Sequence, residues 1–364
     1  MKRGFDYSLF LTTLLLVGIG LTMVFSASGI LAKERFGDSA YFLKKEVIAG
    51  LIGMTGLVVA RLLPVKLLSR LSLPLLVISL VLLAVVLFPS IGTKVSGASR
   101  WIRIGPLSLQ PSEIAKLCLV IFVASVLAKR KERGVRVIPP MVASGLLIGL
   151  VLMGKDLGGA AVMGMTLFTL MFVGGARAST LVSELLLACP AFVYLVSSVP
   201  YRRMRILSFL NPWEHERGAG FQIIQSYIAF HAGSLFGLGL GDGKQKLFYL
   251  PEAHTDFIFS VIGEELGLFG TLTIVALFVI WLFRAFRIAL KAVDPFSFYL
   301  ALGIAVMIGI QVILNLAVVT GMLPTKGLPL PFISYGGTSL MVSLFSVGLL
   351  LNISARVNNP RSEG

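Results

Sequence analysis

Long apolar runs alternate with short polar segments along the 364 residues of this chain. The runs fall near 9–31, 46–63, 74–89, 112–128, 139–154, 157–174, 181–199, 257–283, 298–321 and 336–355. Each approaches the roughly 20 residues that an α-helix needs to cross a bilayer core. The pattern predicts an all-α membrane protein of ten transmembrane helices, the fifth and sixth separated by no more than a turn at 154–157. An even number of crossings brings the chain end back to the side on which it began. One interval breaks the rhythm: residues 200–256, between the seventh and eighth helices, are too many for a turn. There YRRMRILSFLNPWEHERGAGFQIIQSYIAF mixes cations with apolar and aromatic positions, which predicts helical pieces lying on the membrane surface. GSLFGLGLGDGKQK follows, and its glycines match neither the Rossmann nor the P-loop spacing, so a flexible loop is expected.

Composition agrees with the pattern. Hydrophobic residues make up 56% and charged residues 13%, where soluble domains carry about a quarter charged. A single polytopic domain over 1–364 is expected. The net charge of +15 fits membrane topology and anionic lipid better than nucleic acid. Cys118 and Cys189 both lie in apolar segments, which argues against a disulfide framework or a thiolate metal site. The basic start and small residues near Ala27 resemble a signal peptide, but the apolar run exceeds the roughly 7–15 residues of that class, so an uncleaved first helix is expected.

The Lys/Arg distribution orients the chain. The segments on the side of the two termini hold 16, with KRKERGVR (129–136) the densest run; the opposite short loops hold 9 and the long loop 6. Basic residues in short loops mark the cytoplasmic side. Both termini are therefore expected in the cytoplasm, and the 200–256 loop is expected to be extracytoplasmic.

Candidate chemistry gathers around LPEAHTDFIFSVIGEELGLFG (250–270), where a loop passes into an apolar helix. Asp256, Ser260, Gly263, Gly267 and Gly270 follow at helical spacing, a stripe of small residues that lets another helix approach closely. Glu264 lies eight residues past Asp256, about 12 Å deeper along a helix. A carboxylate at that depth must be partnered or wet. In the outer loop at 90–111, Arg100 and Arg103 flank Trp101, either as an interfacial anchor or as a holder of an anionic headgroup. Glu113 and Lys116 share a helix face as an ion pair, structural or tuning a nearby site. Lys155 and Asp156 either cap the sixth helix or join the outer cluster, and Glu184 is expected to be structural. Gln311 and Asn315, four apart, suit interhelical hydrogen bonds. GMLPTKGLPLPFISYGG (321–337), rich in proline, predicts a rigid lid or re-entrant segment that brings Lys326 to the outer face.

Several blocks then carry a resemblance: QPSEIAK (110–116), DLG (156–158), RILSFLNPW (205–213), LPEAHTDFIFSVIGEELG (250–267) and PTKGLPLPFISYGGTS (324–339). In this order they resemble the SEDS family (shape, elongation, division, sporulation) of bacterial cell-wall synthesis, across nearly the whole chain. PFISYGG and the LNISARV ending resemble the division branch more than the elongation branch, with the sporulation branch still open. The resemblance implies a ten-span peptidoglycan glycosyltransferase in the cytoplasmic membrane. It would polymerise lipid II, a disaccharide-pentapeptide on undecaprenyl pyrophosphate, at the outer face during division. It also implies an FtsI-like class B penicillin-binding protein and other divisome proteins as partners.

The reaction joins a sugar hydroxyl to an anomeric carbon and expels lipid pyrophosphate. A base near the hydroxyl helps, and the resemblance makes Asp256 that base. Its bland alternative is a helix cap; His254 is the competing base. A free aspartate is a weak base, so burial would have to raise its pKa. Arg202, Arg203, Arg205, Lys326, Lys116 and Arg100 are candidates to hold the pyrophosphate, His254 is a further candidate for substrate contact, and Glu113, Lys116, Glu264 and Asp156 are candidates to tune the site. No compact metal-ligand cluster stands out, though a divalent cation (Mg or Mn) could assist. The rival readings are a lipid II flippase and a non-catalytic divisome scaffold. Clustering of polar residues on the outer side favours the enzyme.

Overall fold

A computed structural model of the chain describes residues 4–88, 92–95, 98–104, 107–133, 138–183, 186, 190, 200–216, 218, 220–247 and 249–358. Helices dominate. In chain order they are α1 (Tyr7–Phe36), α2 (Tyr41–Leu62), the short α3 (Val65–Arg70) and α4 (Ser72–Leu87), then α5 (Pro111–Arg133), α6 (Ile138–Met153) and α7 (Leu157–Val173). After them come α8 (Pro200–Leu210), α9 (Phe221–Gly233), α10 (Ile258–Leu290), α11 (Pro295–Val319) and α12 (Gly337–Asn358). The expected span at 181–199 falls largely outside the described residues, as do Glu184 and Cys189. Five described helices are long and apolar enough to cross a membrane: α1, α5, α10, α11 and α12. α4, α6 and α7 are apolar but shorter.

α5 and α11 form the middle of the bundle, with most of their residues buried, and they pack on each other. α10 lies outside α11, with α1 against it, and α12 runs along α2. The apolar stretch of α10 is largely uncovered. Leu272, Val279 and Phe283 are all more than half exposed, as expected of a surface whose solvent is lipid.

A small antiparallel sheet precedes α5: β1 (Thr93–Val95), β2 (Ala98–Ile104) and β3 (Leu107–Leu109), in that spatial order. Arg103 pairs with Ser108 across β2 and β3. The sheet is tied to the start of α12. Thr338 Oγ1 donates to Ser108 O at 3.0 Å and accepts from Gln110 N–H at 3.1 Å.

The segment between α11 and α12 re-enters the bundle. Leu328, Leu330, Phe332 and Ile333 are all buried, and Phe332 packs on Trp281 with ring centroids 5.7 Å apart. It presses against Gly20, near the middle of α1, where a Cβ would lie 2.4 Å from Phe332 O. Non-helical backbone at such depth requires protein partners for its polar groups. Here Gln311, Asn315 and Glu46 supply them.

Two expectations about 200–256 change. α9 is not a surface helix: Ile223, Ser226, Ala229 and Gly233 are buried against α10 and the end of α11. GSLFGLGLGDGKQK is not a loose loop either. α10 breaks at Gly267 (φ 65°, ψ −162°), and the loop closes on the break. Leu238 and Gly239 N–H donate to the Glu264 and Glu265 carbonyls at 3.0 Å each, and Leu268 N–H donates to Ser234 O at 3.0 Å. Gly237, Gly239 and Gly241 all take positive φ, which glycine adopts without the Cβ penalty. The alternating glycines let the chain fold into the break and satisfy the interrupted ladder.

Candidate active site

Asp256 lies in the turn just ahead of α10, and the helix-cap reading fails. The residue at the cap position is Phe257, and no side chain caps the helix. The Asp256 carboxylate faces the re-entrant segment instead: a Cβ on Gly327 would lie 3.0 Å from Asp256 Oδ2. Any side chain at Gly327 would crowd the carboxylate. Burial, helped by repulsion from the Glu252 charge, raises the Asp256 pKa from 3.8 to about 7, against the opposing pull of Arg205 and Arg100. A carboxyl group tuned to that range is half ionised near neutrality, which suits a general base.

Three parts of the chain are held around it. Asn315 Nδ2, from α11, donates to Asp256 O at 2.9 Å and to Leu328 O at 2.6 Å, pinning the Asp256 turn to the re-entrant segment. One helical turn earlier, Gln311 Nε2 donates to Pro329 O at 2.9 Å. Gln311 Oε1 accepts from Lys116 Nζ at 2.6 Å, and Lys116 pairs with Glu113 at 2.7 Å. The Glu113–Lys116 pair is fully buried. It therefore supports the re-entrant segment through Gln311. The expectation that Gln311 and Asn315 join helix to helix holds for Gln311, which bonds Lys116 of α5, and both residues also grip irregular backbone.

The cations separate into two groups. Arg205 Nη1 donates to Thr325 O at 2.8 Å, beside Lys326 and Gly327, and Arg100 donates from Nε to Gly154 O at 3.2 Å and from Nη2 to Lys155 O. Both charges act on Asp256, so 200–210 and 98–104, more than 90 residues apart in sequence, meet at one site. Burial lowers the Lys326 pKa. Arg203 is exposed, and the side chains of Arg202 and Arg217 lie outside the described residues. Asp156 satisfies both of its readings. Its Oδ1 accepts from Gly159 N–H at 2.9 Å, capping α7, and its Oδ2 accepts from Ser112 Oγ at 2.9 Å. Its charge is also felt at Asp256.

His254 packs in an aromatic cluster, 4.7 Å from the Phe42 ring and 5.6 Å from Tyr335. Its carbonyl accepts from Tyr335 N–H at 2.9 Å. Burial lowers its pKa, which keeps the ring neutral at pH 7. This is a histidine that holds two loops together. Behind it Glu46 accepts from Gly336 N–H at 3.2 Å, an anchor that sequence reading passed over inside an apolar helix.

Glu264 and its neighbour are engaged elsewhere. Glu264 Oε1 accepts from Lys244 N–H at 2.7 Å, and Glu265 pairs with Lys246 at 2.6 Å and accepts from Ser26 Oγ at 2.7 Å. Both carboxylates are bound by the loop that fills the helix break. The small-residue stripe does receive a helix: Ser226 and Ser260 hydroxyls lie 2.7 Å apart, and a Cβ on Gly233 would fall 1.8 Å from Gly263 O. Among the described residues, no three His, Cys, Asp or Glu side chains come together as a metal-ligand set.

Comparison with known proteins follows the same outline. The FtsW/RodA/SpoVE family model, described as "Cell cycle protein", matches residues 7–359. The chain is 49% identical over 355 residues to a probable peptidoglycan glycosyltransferase FtsW of Trichlorobacter lovleyi, covering 96% of this chain and 93% of the relative. It is 44% identical over 359 residues to the stage V sporulation protein E of Bacillus subtilis, covering 97% and 98%. A solved structure described as "Structural coordination of polymerization and crosslinking by a peptidoglycan synthase complex" superposes with a TM-score of 0.78 at 31% identity, covering 99% of both chains.

Proposed function

The chain belongs to the FtsW/RodA/SpoVE (SEDS) family as a peptidoglycan glycosyltransferase, and from that premise we propose how it works. It polymerises lipid II at the outer face of the cytoplasmic membrane, at the division septum, beside an FtsI-like class B penicillin-binding protein that crosslinks the strands. The chain is one polytopic domain of ten spans with both termini in the cytoplasm. Residues 200–256 and the sheet lie on the outer side. The Lys/Arg bias supports that orientation, and so does the Asp6 N–H bond to Ser354 Oγ at 3.1 Å, which puts the start of α1 beside the end of α12. Asp256 lies at the other end of α10 from Arg284, which pairs with Asp6.

Asp256 accepts the proton of the acceptor sugar hydroxyl as that oxygen attacks the anomeric carbon and the bond to pyrophosphate breaks. Arg100, Arg205 and Lys326 take up the charge of the departing pyrophosphate, which needs cations more than a proton donor. A Mg or Mn ion acting here would be held chiefly by the phosphates of the substrate. The observation that carries this reading is a carboxyl group with a pKa of about 7, beside two arginines drawn from distant segments. Flipping lipid II would instead call for polar groups continuing through the bilayer. The deeper carboxylates, Glu264 and Glu265, are taken up by the 234–247 loop, which favours the enzyme.

The test is lipid II polymerisation in liposomes with the cognate transpeptidase, its crosslinking site blocked. Wild type should make long glycan chains and Asp256→Asn none, at equal folding and partner binding. Chains from both proteins would remove Asp256 from this role.

A further inference from the structure

The end of the bundle remote from Asp256 holds a cavity of about 410 Å³ where α1 begins and α10 and α12 end. Tyr7, Ser8, Arg284, Arg287, Lys291 and Ser354 line it, with Asp6 as the one carboxylate. Asp6 is already engaged. It accepts from Arg284 through both oxygens, at 2.6 to 3.1 Å, and from Leu9 N–H at 3.0 Å. Arg287 and Lys291, one turn apart, are both exposed, and neither side chain makes an ion pair with a described residue. Arg61 stacks over Phe5, another wall residue, at 4.2 Å from its ring centroid. Three cations thus line the cavity with one consumed carboxylate, and a fourth, Arg61, lies over its Phe5 wall. The first turn of α1 adds backbone N–H groups and the positive end of its dipole.

Dipole complementation at the end of α10 explains a basic residue there, but not a concave site walled by three helices with hydroxyls beside the cations. Exposed apolar side chains flank the lining residues along the same helices: Leu11, one turn past Ser8, is 58% exposed, Phe283, next to Arg284, 63%, and Leu290, next to Lys291, 77%. A ligand fitting both has a compact anionic head and apolar tails. We propose that this cavity binds a phosphate group, with an anionic phospholipid of the adjoining leaflet as its source. Guanidinium and ammonium groups at a membrane surface recognise that chemistry. The site is separate from Asp256 and does not depend on its role.

The test compares the purified full-length protein with the Arg287→Ala/Lys291→Ala double variant, which leaves the Asp6–Arg284 pair intact. Phosphatidylglycerol, phosphatidylcholine and inorganic phosphate are titrated separately, with binding read by native mass spectrometry and by the shift in Tm. Phosphatidylglycerol should bind the double variant about 30-fold more weakly, the scale of two interfacial Lys/Arg contacts. Phosphatidylcholine should bind both proteins alike. Arg287→Lys/Lys291→Arg should retain the tight binding. Discrimination by inorganic phosphate alone would keep the phosphate site and assign it a soluble ligand. Equal binding of both phosphate probes by wild type and double variant would overturn the proposal.

Discussion

At the scale of single residues, the Asp256 carboxyl group couples activity to pH. As a base it must be ionised, so kcat/KM should rise with pH and level off above a midpoint near its pKa of about 7. Stability moves the other way. Folding raises the pKa of Asp256 from 3.8, so the native state binds the proton more tightly than the unfolded chain does. That contribution is full below the unfolded value and is lost as pH climbs through the folded one. Asp256→Asn should therefore have a higher Tm than wild type at pH 8, with the gap closing toward pH 4. A gap that widens on acidification would contradict this account. The sequence named Asp256, but only through the resemblance, because spacing alone could not separate a base from a helix cap. The turn removes the cap reading, because Asp256 precedes the cap position at Phe257. Asn315 was visible as a polar residue in an apolar helix, yet its partners are backbone carbonyls, and sequence carries no label for those.

At the scale of elements, the Glu113–Lys116 pair shows how α5 supports the re-entrant segment through Gln311. Lys116→Met leaves Glu113 buried without its partner, which should destabilise by about 3–5 kcal/mol. The double variant Glu113→Leu/Lys116→Met removes the stranded charge and should recover most of that loss in thermal unfolding. It still deprives Gln311 Oε1 of its donor. The hold on Pro329 should therefore loosen and polymerisation stay well below wild type. Recovery of stability and activity together would mean that the pair only fills space. Helices were the legible part of this chain, since apolar runs predict the starts of α1, α5, α10, α11 and α12 within a few residues, while the ends of α1, α5 and α10 run on into polar sequence. The β1–β3 sheet was not legible: its strands are short, and β2 carries Arg100 and Arg103. The 234–247 loop misled for a different reason. Its glycines read as freedom in isolation, and only the break at Gly267, a tertiary event, turns them into a close-fitting clamp.

At the scale of the whole molecule, the bundle separates two kinds of chemistry by its length. The Asp256 turn, the arginines from β2 and α8 and the re-entrant segment meet at one end, while the start of α1, the end of α12 and the cationic cavity share the other. Orientation in the bilayer follows from one comparison. In a background of Cys118→Ala and Cys189→Ala, Tyr249→Cys and Tyr7→Cys each place one thiol on an exposed position at opposite ends. A membrane-impermeant maleimide applied to intact cells stripped of their outer layers should modify Tyr249→Cys and spare Tyr7→Cys until the membrane is permeabilised. The Lys/Arg asymmetry predicts that order because translocating basic short loops is disfavoured. A label on Tyr7→Cys in intact cells would invert the protein. It would put Asp256 on the cytoplasmic side, away from the growing wall, and the polymerase mechanism could not then operate as drawn.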